Sequence, residues 1–333
     1  MRTLESTDPG KEITDEATKG FARHVRELSR VSEWQSISAI LRQWIIIIGS
    51  IVSFKILAPH LGYGAAAYYL LAITIIATRQ HSLLGIMHDA THYRLSKNRL
   101  WNDFVSDMFC SFPMGVSTDL YRRGHLVHHE HTNTEDDPYW TGMQSHEDWR
   151  WPKDQLIALR LFAFDLLGLA AHKLCFLFFN WSPFCAAVDR KTVLSPAERL
   201  RLVVFLISAA VLLAVYHLWI TWLLFWVVPA FTIFAATVRL RSIAEHLVLE
   251  SEHELNKTRH VISNPIERFL VAPLNLNYHI VHHLYPSIPF YNLPKAHAIL
   301  MQNPAFRENA HITHSYLGLR HGVLGEVITW GDR

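Results

Sequence analysis

Apolar residues dominate four stretches of the chain, near 38–58, 62–81, 200–217 and 218–238. A helix needs ~20 such residues to cross the hydrocarbon layer of a bilayer, so each stretch is predicted to be a membrane span. They come as two pairs. Within each pair the connection is short, Pro59 to Gly64 and His217 to Ile220, and holds no Lys, Arg, Asp or Glu. The opposite ends carry Arg42, Arg79, Arg199, Arg201, Arg239 and Arg241, the charge that cytoplasmic flanks accumulate. The pattern predicts an all-α integral membrane fold. Four transmembrane helices form two hairpins entering from one side, with a cytosolic helical cap over 82–199 and 239–333.

Two weaker patterns lie in the cap. Residues 156–180 are rich in Leu and Phe but interrupted by Arg160, Asp165, His172 and Lys173, which predicts an amphipathic helix lying on the membrane surface. Phe104, Val105, Met108, Phe109 and Phe112 recur at helical spacing and predict a face turned to membrane or core. Residues 1–36 mix acids, bases and hydroxyls without an apolar core. They read as a cytosolic N-terminal tail with no cleavable signal, and 37–333 as one membrane-bound domain.

Composition agrees with lipid surroundings: half the residues are apolar and only 18% charged. A net charge of +2 gives no basic face for nucleic acid. Cys110, Cys175 and Cys185 form no C-x-x-C pair and sit among apolar residues, so they read as buried filler.

The 22 histidines change the picture most. His88 and His92 lie in "HDATH", His125, His128 and His129 in "HLVHH", and His279, His282 and His283 in "HIVHH". On a helix, positions i, i+3 and i+4 share a face, so each group can aim its ring nitrogens at one place. Random placement would give roughly 0.1 H-x-x-H-H patterns in such a chain, and two are present. His88 and His246 each follow a predicted span by about 10 Å of helix, which puts both just above the membrane. Nine neutral imidazoles exceed a tetrahedral site and suit two ions with positions left open. His131 is out of phase with its neighbours and is not expected to join them. The pairs Glu250 with His253 and Glu308 with His311 lack an apolar stripe and read as solvated loops.

Taken in order, "HDATH", "GHLVHHEHTNTEDDPYW", "RSIAEH" and "NYHIVHHLYPSIPFYNLPKAH" resemble the histidine boxes of the membrane-bound fatty acid desaturases and their hydroxylase and ketolase relatives. The likeness runs from about residue 80 to 297 and is nearest to the bacterial branch. It implies that His88, His92, His125, His128, His129, His246, His279, His282 and His283 hold a non-haem di-iron centre that uses O2. Two positions depart from the pattern. Ser242 stands where some relatives have an Asn that contacts iron through water, and Tyr139 ends a turn that commonly reads D-P-D. Asp89, Asp137, Glu245, Asn275 and Asn277 are nominated as the polar groups that orient the rings, because a bound imidazole is held by an acceptor on its other nitrogen.

The resemblance further implies a lipid or acyl-thioester substrate, desaturated in a bacterial cytoplasmic membrane with the site on the cytoplasmic face. No haem-binding or ferredoxin-like segment is visible, so electrons are expected from a separate carrier, a ferredoxin or cytochrome b5-type protein with its reductase. Arg94, Lys97, Arg99, Arg122 and Arg123 are candidates to meet that carrier, a substrate phosphate or lipid head groups. Spacing alone does not separate a desaturase from a hydroxylase, ketolase or acetylene-forming relative. The remaining alternative is a non-catalytic histidine-rich membrane metal-binding protein or transporter, which should carry acidic or His residues inside its spans, and these spans are nearly free of them.

Overall fold

The computed structural model describes residues 9–186 and 193–329. Expectations for 1–8 of the tail, 187–192 of the cap and 330–333 lie outside the described residues. The first two apolar runs form the helices Glu33–Leu57 and Gly64–Thr91, which pack side by side across the short turn Ala58–His60. The last run belongs to a helical stretch from Trp219 to His246, whose hydrogen-bond pitch widens at Leu223–Val227. Among the described residues, three helices are long and apolar enough to cross a membrane: Glu33–His60, Gly64–Thr91 and Trp219–His246.

The third expected span, 200–217, falls in the helix Pro196–Val215, and its charged first turns set it apart. Glu198 is fully buried and accepts from the Ser117 hydroxyl, while Arg201 Nε donates to Asp107 Oδ2 at 2.8 Å. Beyond these turns its flank is apolar and exposed, as at Ile207 and Val215. Of the arginines near the span ends, Arg42 and Arg199 are exposed, whereas Arg79, Arg201, Arg239 and Arg241 are held by protein partners. Arg239 pairs with the Asp165 carboxylate, Arg241 with Glu245, and Arg79 donates to the Phe269 carbonyl at 2.8 Å.

Two helices outrun the apolar pattern that predicted them. The second span, expected to end at 81, continues to Thr91, and the last, expected to end at 238, continues to His246. The apolar run stops near 81 and 238, but each helix continues, buried by protein. Gly85 permits this at one close approach: a Cβ there would stand 2.8 Å from Leu276 Cδ1.

The stretch 156–180 is broken by Gly168, at φ +73°, into the helices Gln155–Leu166 and Ala171–Phe179. Leu156, Leu159 and Leu166 are exposed, whereas Ala158, Leu161 and Asp165 face inward. Asp165, which looked like a solvated interruption, is the buried partner of Arg239. The stripe from Phe104 to Phe112 also divides. Val105 and Phe112 are buried but Phe109 is exposed, because a wide helical turn at Asp107–Ser111 shifts the phase. Cys110 is buried, but Cys175 is exposed, contrary to its reading as filler. The side chain of Cys185 lies outside the described residues.

From Pro9 onward the expected tail is folded. The helices Pro9–Ala17 and Ala22–Leu28 bury Ala17, Phe21 and Leu28 against Ile280, Val281 and Phe306. Asn303 Nδ2 caps the first of them by donating to the carbonyls of Glu16 and Ala17, at 2.7 and 2.9 Å. Two parallel strand pairs, Lys153–Asp154 with Ile328–Thr329 and His260–Val261 with Ile312–Thr313, complete an otherwise helical fold.

Candidate metal centre

Four separate segments deliver the rings. His88 sits in the last turn of Gly64–Thr91, and His92 is its C-cap. His125, His128 and His129 lie on the helix Thr118–His131, His246 ends Ile233–His246, and His279, His282 and His283 lie on the helix His279–Leu284. Ser117 caps the second of these helices by accepting from the Leu120 amide. Arg122, nearly buried, donates to the carbonyls of Thr91 and Ala90 at 3.0 and 3.1 Å and pairs with Asp103. It clamps the end of the helix that carries His88. Arg94 does similar work, donating to the carbonyls of His92 and Ser287. Neither Arg122 nor Arg94 is thus the free surface cation expected for a partner or phosphate.

The structure brings all nine rings together and divides them. His88, His92, His125, His129 and His282 have ligand nitrogens within 4.8 Å of one another, and so do His128, His246 and His283. His279 joins the second group, its Nε2 lying 2.9 Å from His246 Nε2 and 3.1 Å from His283 Nε2. The groups share a wall where the rings of His129 and His283 stack, 4.2 Å between centroids. His131 is in neither.

The spacing within each group suits a metal ion. His125 Nε2 lies 3.0 Å from both His92 Nε2 and His129 Nε2, and His129 Nε2 lies 3.1 Å from His282 Nε2. A ring nitrogen offers one proton or one lone pair, so His125 and His129 cannot make a full hydrogen bond to each neighbour. Two nitrogens each about 2.1 Å from one ion and at right angles would stand about 3.0 Å apart. Burial lowers the rings of His92 and His129 to about 3 and about 2, and those of His125, His279, His282 and His283 well below the ordinary value. These six rings are therefore neutral, the form that binds metal.

The nominated polar groups behave differently from one another. Asp137 Oδ2 lies 2.8 Å from His128 Nδ1, and Oδ1 of the same carboxylate caps the helix Pro138–Gln144. Glu245 Oε1 lies 3.5 Å from His279 Nδ1, on the side of the ring away from His246 and His283, and a carboxylate oxygen of Glu245 lies within 4.8 Å of ligand nitrogens of His246 and His279. Arg241 Nε donates to Glu245 Oε1 at 2.6 Å, and its Nη1 lies 3.1 Å from His81 Nε2. Asp89 and Asn275 do not meet the rings. They pin the backbone of Phe290 instead, Asp89 Oδ2 accepting from its N–H at 2.8 Å and Asn275 Nδ2 donating to its carbonyl at 3.0 Å. The Asn277 amide is buried without a hydrogen-bond partner among the described residues. Of the two Glu-x-x-His pairs, His253 is buried rather than solvated, and neither pair joins a metal-type group.

A cavity of about 790 Å³ opens beside the rings and touches both groups, through His88 and His125 on one side and His128, His246 and His279 on the other. Leu84, Val116, Leu120 and Phe178 contribute apolar wall. Tyr121 lies over His125, with centroids 5.1 Å apart and planes at 24°, and Tyr139 lies over His128 at 4.9 Å and 23°. Burial pushes the Tyr121 phenol up to about 12, so it stays neutral. Neither tyrosine was singled out as a site residue from sequence. Their signal was position: Tyr121 precedes His125 by one helical turn, and Tyr139 fills the place that departs from D-P-D.

The fatty acid desaturase family model matches residues 64–316. Dihydrorhizobitoxine desaturase of Bradyrhizobium elkanii is 30% identical over 261 residues, covering 75% of this chain and 72% of that protein. An sn-1 oleoyl-lipid 12-desaturase of Anabaena variabilis is 30% identical over 266 residues, 73% of each. A desaturase of the same name from Arthrospira platensis is 25% identical over 269 residues, covering 76% of this chain and 74% of that one.

Proposed function

Because the chain belongs to the fatty acid desaturase family, we propose that it inserts a C=C bond into a long alkyl chain of a lipid or acyl thioester. In this reading it uses O2, two non-haem irons held by the nine histidines, and electrons from a separate carrier of ferredoxin or cytochrome b5 type. Family membership makes it an oxidoreductase, and its three long apolar helices make it a membrane protein. In this reading the helix Pro196–Val215 crosses as well, making four spans, and the cap faces the cytoplasm of a bacterial membrane.

The observation that carries the reading is that both ring groups open onto one partly apolar cavity. A hydrocarbon held there would pass in front of both groups. When bound, the irons supply the power to activate O2 and remove hydrogen from an unactivated methylene, which no acid, base or nucleophile of the chain can attack.

The chain's own residues bind, orient and exclude. The rings of His92, His125, His129, His279, His282 and His283, held neutral by burial, offer their Nε2 lone pairs inward. Asp137 holds the Nδ1 side of His128 and thereby fixes which nitrogen points at the centre. Tyr121 and Tyr139 cover two rings, and Trp181 meets both tyrosines edge-on, so water is kept from that side. Leu84, Val116, Leu120 and Phe178 give the alkyl chain an apolar bed.

The test is expression in a host with a simple lipid profile, followed by mass spectrometry of the lipids. Loss of two hydrogens is expected; gain of an oxygen atom would replace the reading with hydroxylation. Purified protein supplied with NADH and O2 alone should be inactive until a carrier and its reductase are added.

A further inference from the structure

The helix His279–Leu284 supplies rings to both groups, yet it is only six residues long and Tyr278, at its N-cap, provides no side-chain cap. Amides in the first turn of a helix have no carbonyl partner within it. The Ile280 amide finds one from outside, donating to Nδ1 of His260 at 3.0 Å. His260 is fully buried, and its backbone is fixed by the parallel pairing of His260–Val261 with Ile312–Thr313. The next amide, of Val261, donates to the Asn277 carbonyl at 3.1 Å. One short strand therefore grips the segment on both sides of His279.

Burial, with His297 alongside, lowers the His260 ring well below the ordinary value. It is neutral, and with the proton on Nε2 the Nδ1 lone pair faces the amide.

We infer that His260 is a positioning residue for the metal centre: its Nδ1 caps the helix His279–Leu284 and so sets where His279, His282 and His283 stand against the other six rings. The inference rests on reading those rings as metal ligands. It follows from how tightly the groups close. With ring nitrogens 2.9 to 3.1 Å apart across helices, a tilt of this short helix moves ligands of both groups together, and a centre misplaced by about 1 Å loses function. Removing the acceptor also leaves a buried amide unpaired, which favours such a tilt.

The test compares the full chain, purified in detergent and loaded with ferrous iron, with His260→Asn and His260→Leu. Asn keeps an acceptor on the same Cγ; Leu keeps bulk without one. The readouts are the chelator concentration that removes half the iron and, in the metal-free chain, hydrogen exchange of the amides of 279–284. Wild type and His260→Asn should agree in both. His260→Leu should release iron at about tenfold lower chelator and exchange the Ile280 amide faster. The inference is overturned if His260→Leu matches wild type, or if His260→Asn is as weak as His260→Leu. Should His260→Leu fail to fold, His260→Asn decides alone: retention shows that an acceptor suffices, and loss refutes the cap. If wild type takes up no iron, the metal reading fails, while exchange at Ile280 still decides the cap.

Discussion

His282 and His283 are consecutive residues whose ring planes stand 88° apart and face different groups. On their helix, His279 and His283 serve one group and His282 the other. On the helix Thr118–His131 the assignment is reversed: His125 and His129 go with His282, and His128 goes with His283. Each helix thus gives two rings, a turn apart, to one group and the intervening ring to the other.

This crossing makes a stoichiometric prediction. His282→Ala and His283→Ala should each reduce the iron held after loading by roughly half, since each removes a ligand from one group only. His131→Ala, which touches neither, should keep the full content. Metal analysis decides it, and equal losses in all three variants would show the grouping to be wrong.

Asp137 Oδ2 is hydrogen-bonded to a ring of the centre, 2.8 Å from His128 Nδ1. Asp137→Asn should retain the helix cap at Tyr139, since Asn caps as well as Asp, while losing the charged acceptor behind the ring. Metal affinity should fall about 10- to 100-fold, and the metal-free chain should melt somewhat lower, because Asp137 Oδ2 also accepts from the Asn133 amide, at 3.0 Å, and an Asn donor there would leave that amide unpaired. Unchanged affinity would mean that His128 needs no orienting group.

Acid should destabilise the metal-free chain. His92 and His129 are lowered by burial from 6.5 to about 3 and about 2. Below pH 6.5 the unfolded chain takes up protons that these folded rings refuse, so stability present above that pH is lost as pH falls towards 3. The slope approaches about 1.4 kcal/mol per pH unit for each such ring. Melting of the metal-free protein should therefore occur at lower temperature at pH 5.5 than at pH 7.5. A curve that is flat or rises towards acid would contradict neutral burial of the rings.

Arg239 and Asp165 form a buried pair joining Ile233–His246 to Gln155–Leu166, with Arg239 also lying over the Trp149 ring at 4.6 Å. Asp165→Leu leaves a buried cation unpaired and should cost about 3–5 kcal/mol. Replacing both residues by Leu should recover much of this. Thermal melting in detergent reads both variants; a double variant no better than the single one would argue that the pair itself is not what joins the helices.

Some of this was legible before folding. The spacing of His88 with His92, of His125 with His128 and His129, and of His279 with His282 and His283 is set by the helical repeat, and the apolar runs announced the long helices. The N-terminal helices had a signal as well, in Ile13, Ala17, Phe21, Val25 and Leu28 at intervals of four and three residues, too sparse to stand out among charges.

Local sequence determines which residues share a helix face and how long a helix stays in lipid, because both depend on neighbours within a few residues. It could not determine which face meets which. That His128 parts from His129, that Asp89 and Asn275 hold Phe290 rather than a ring, that Arg122 clamps a helix end, and that His260 caps a helix 20 residues later depend on contacts between segments far apart in the chain. Those partners become neighbours only when the apolar helices pack and bring their polar ends to one level.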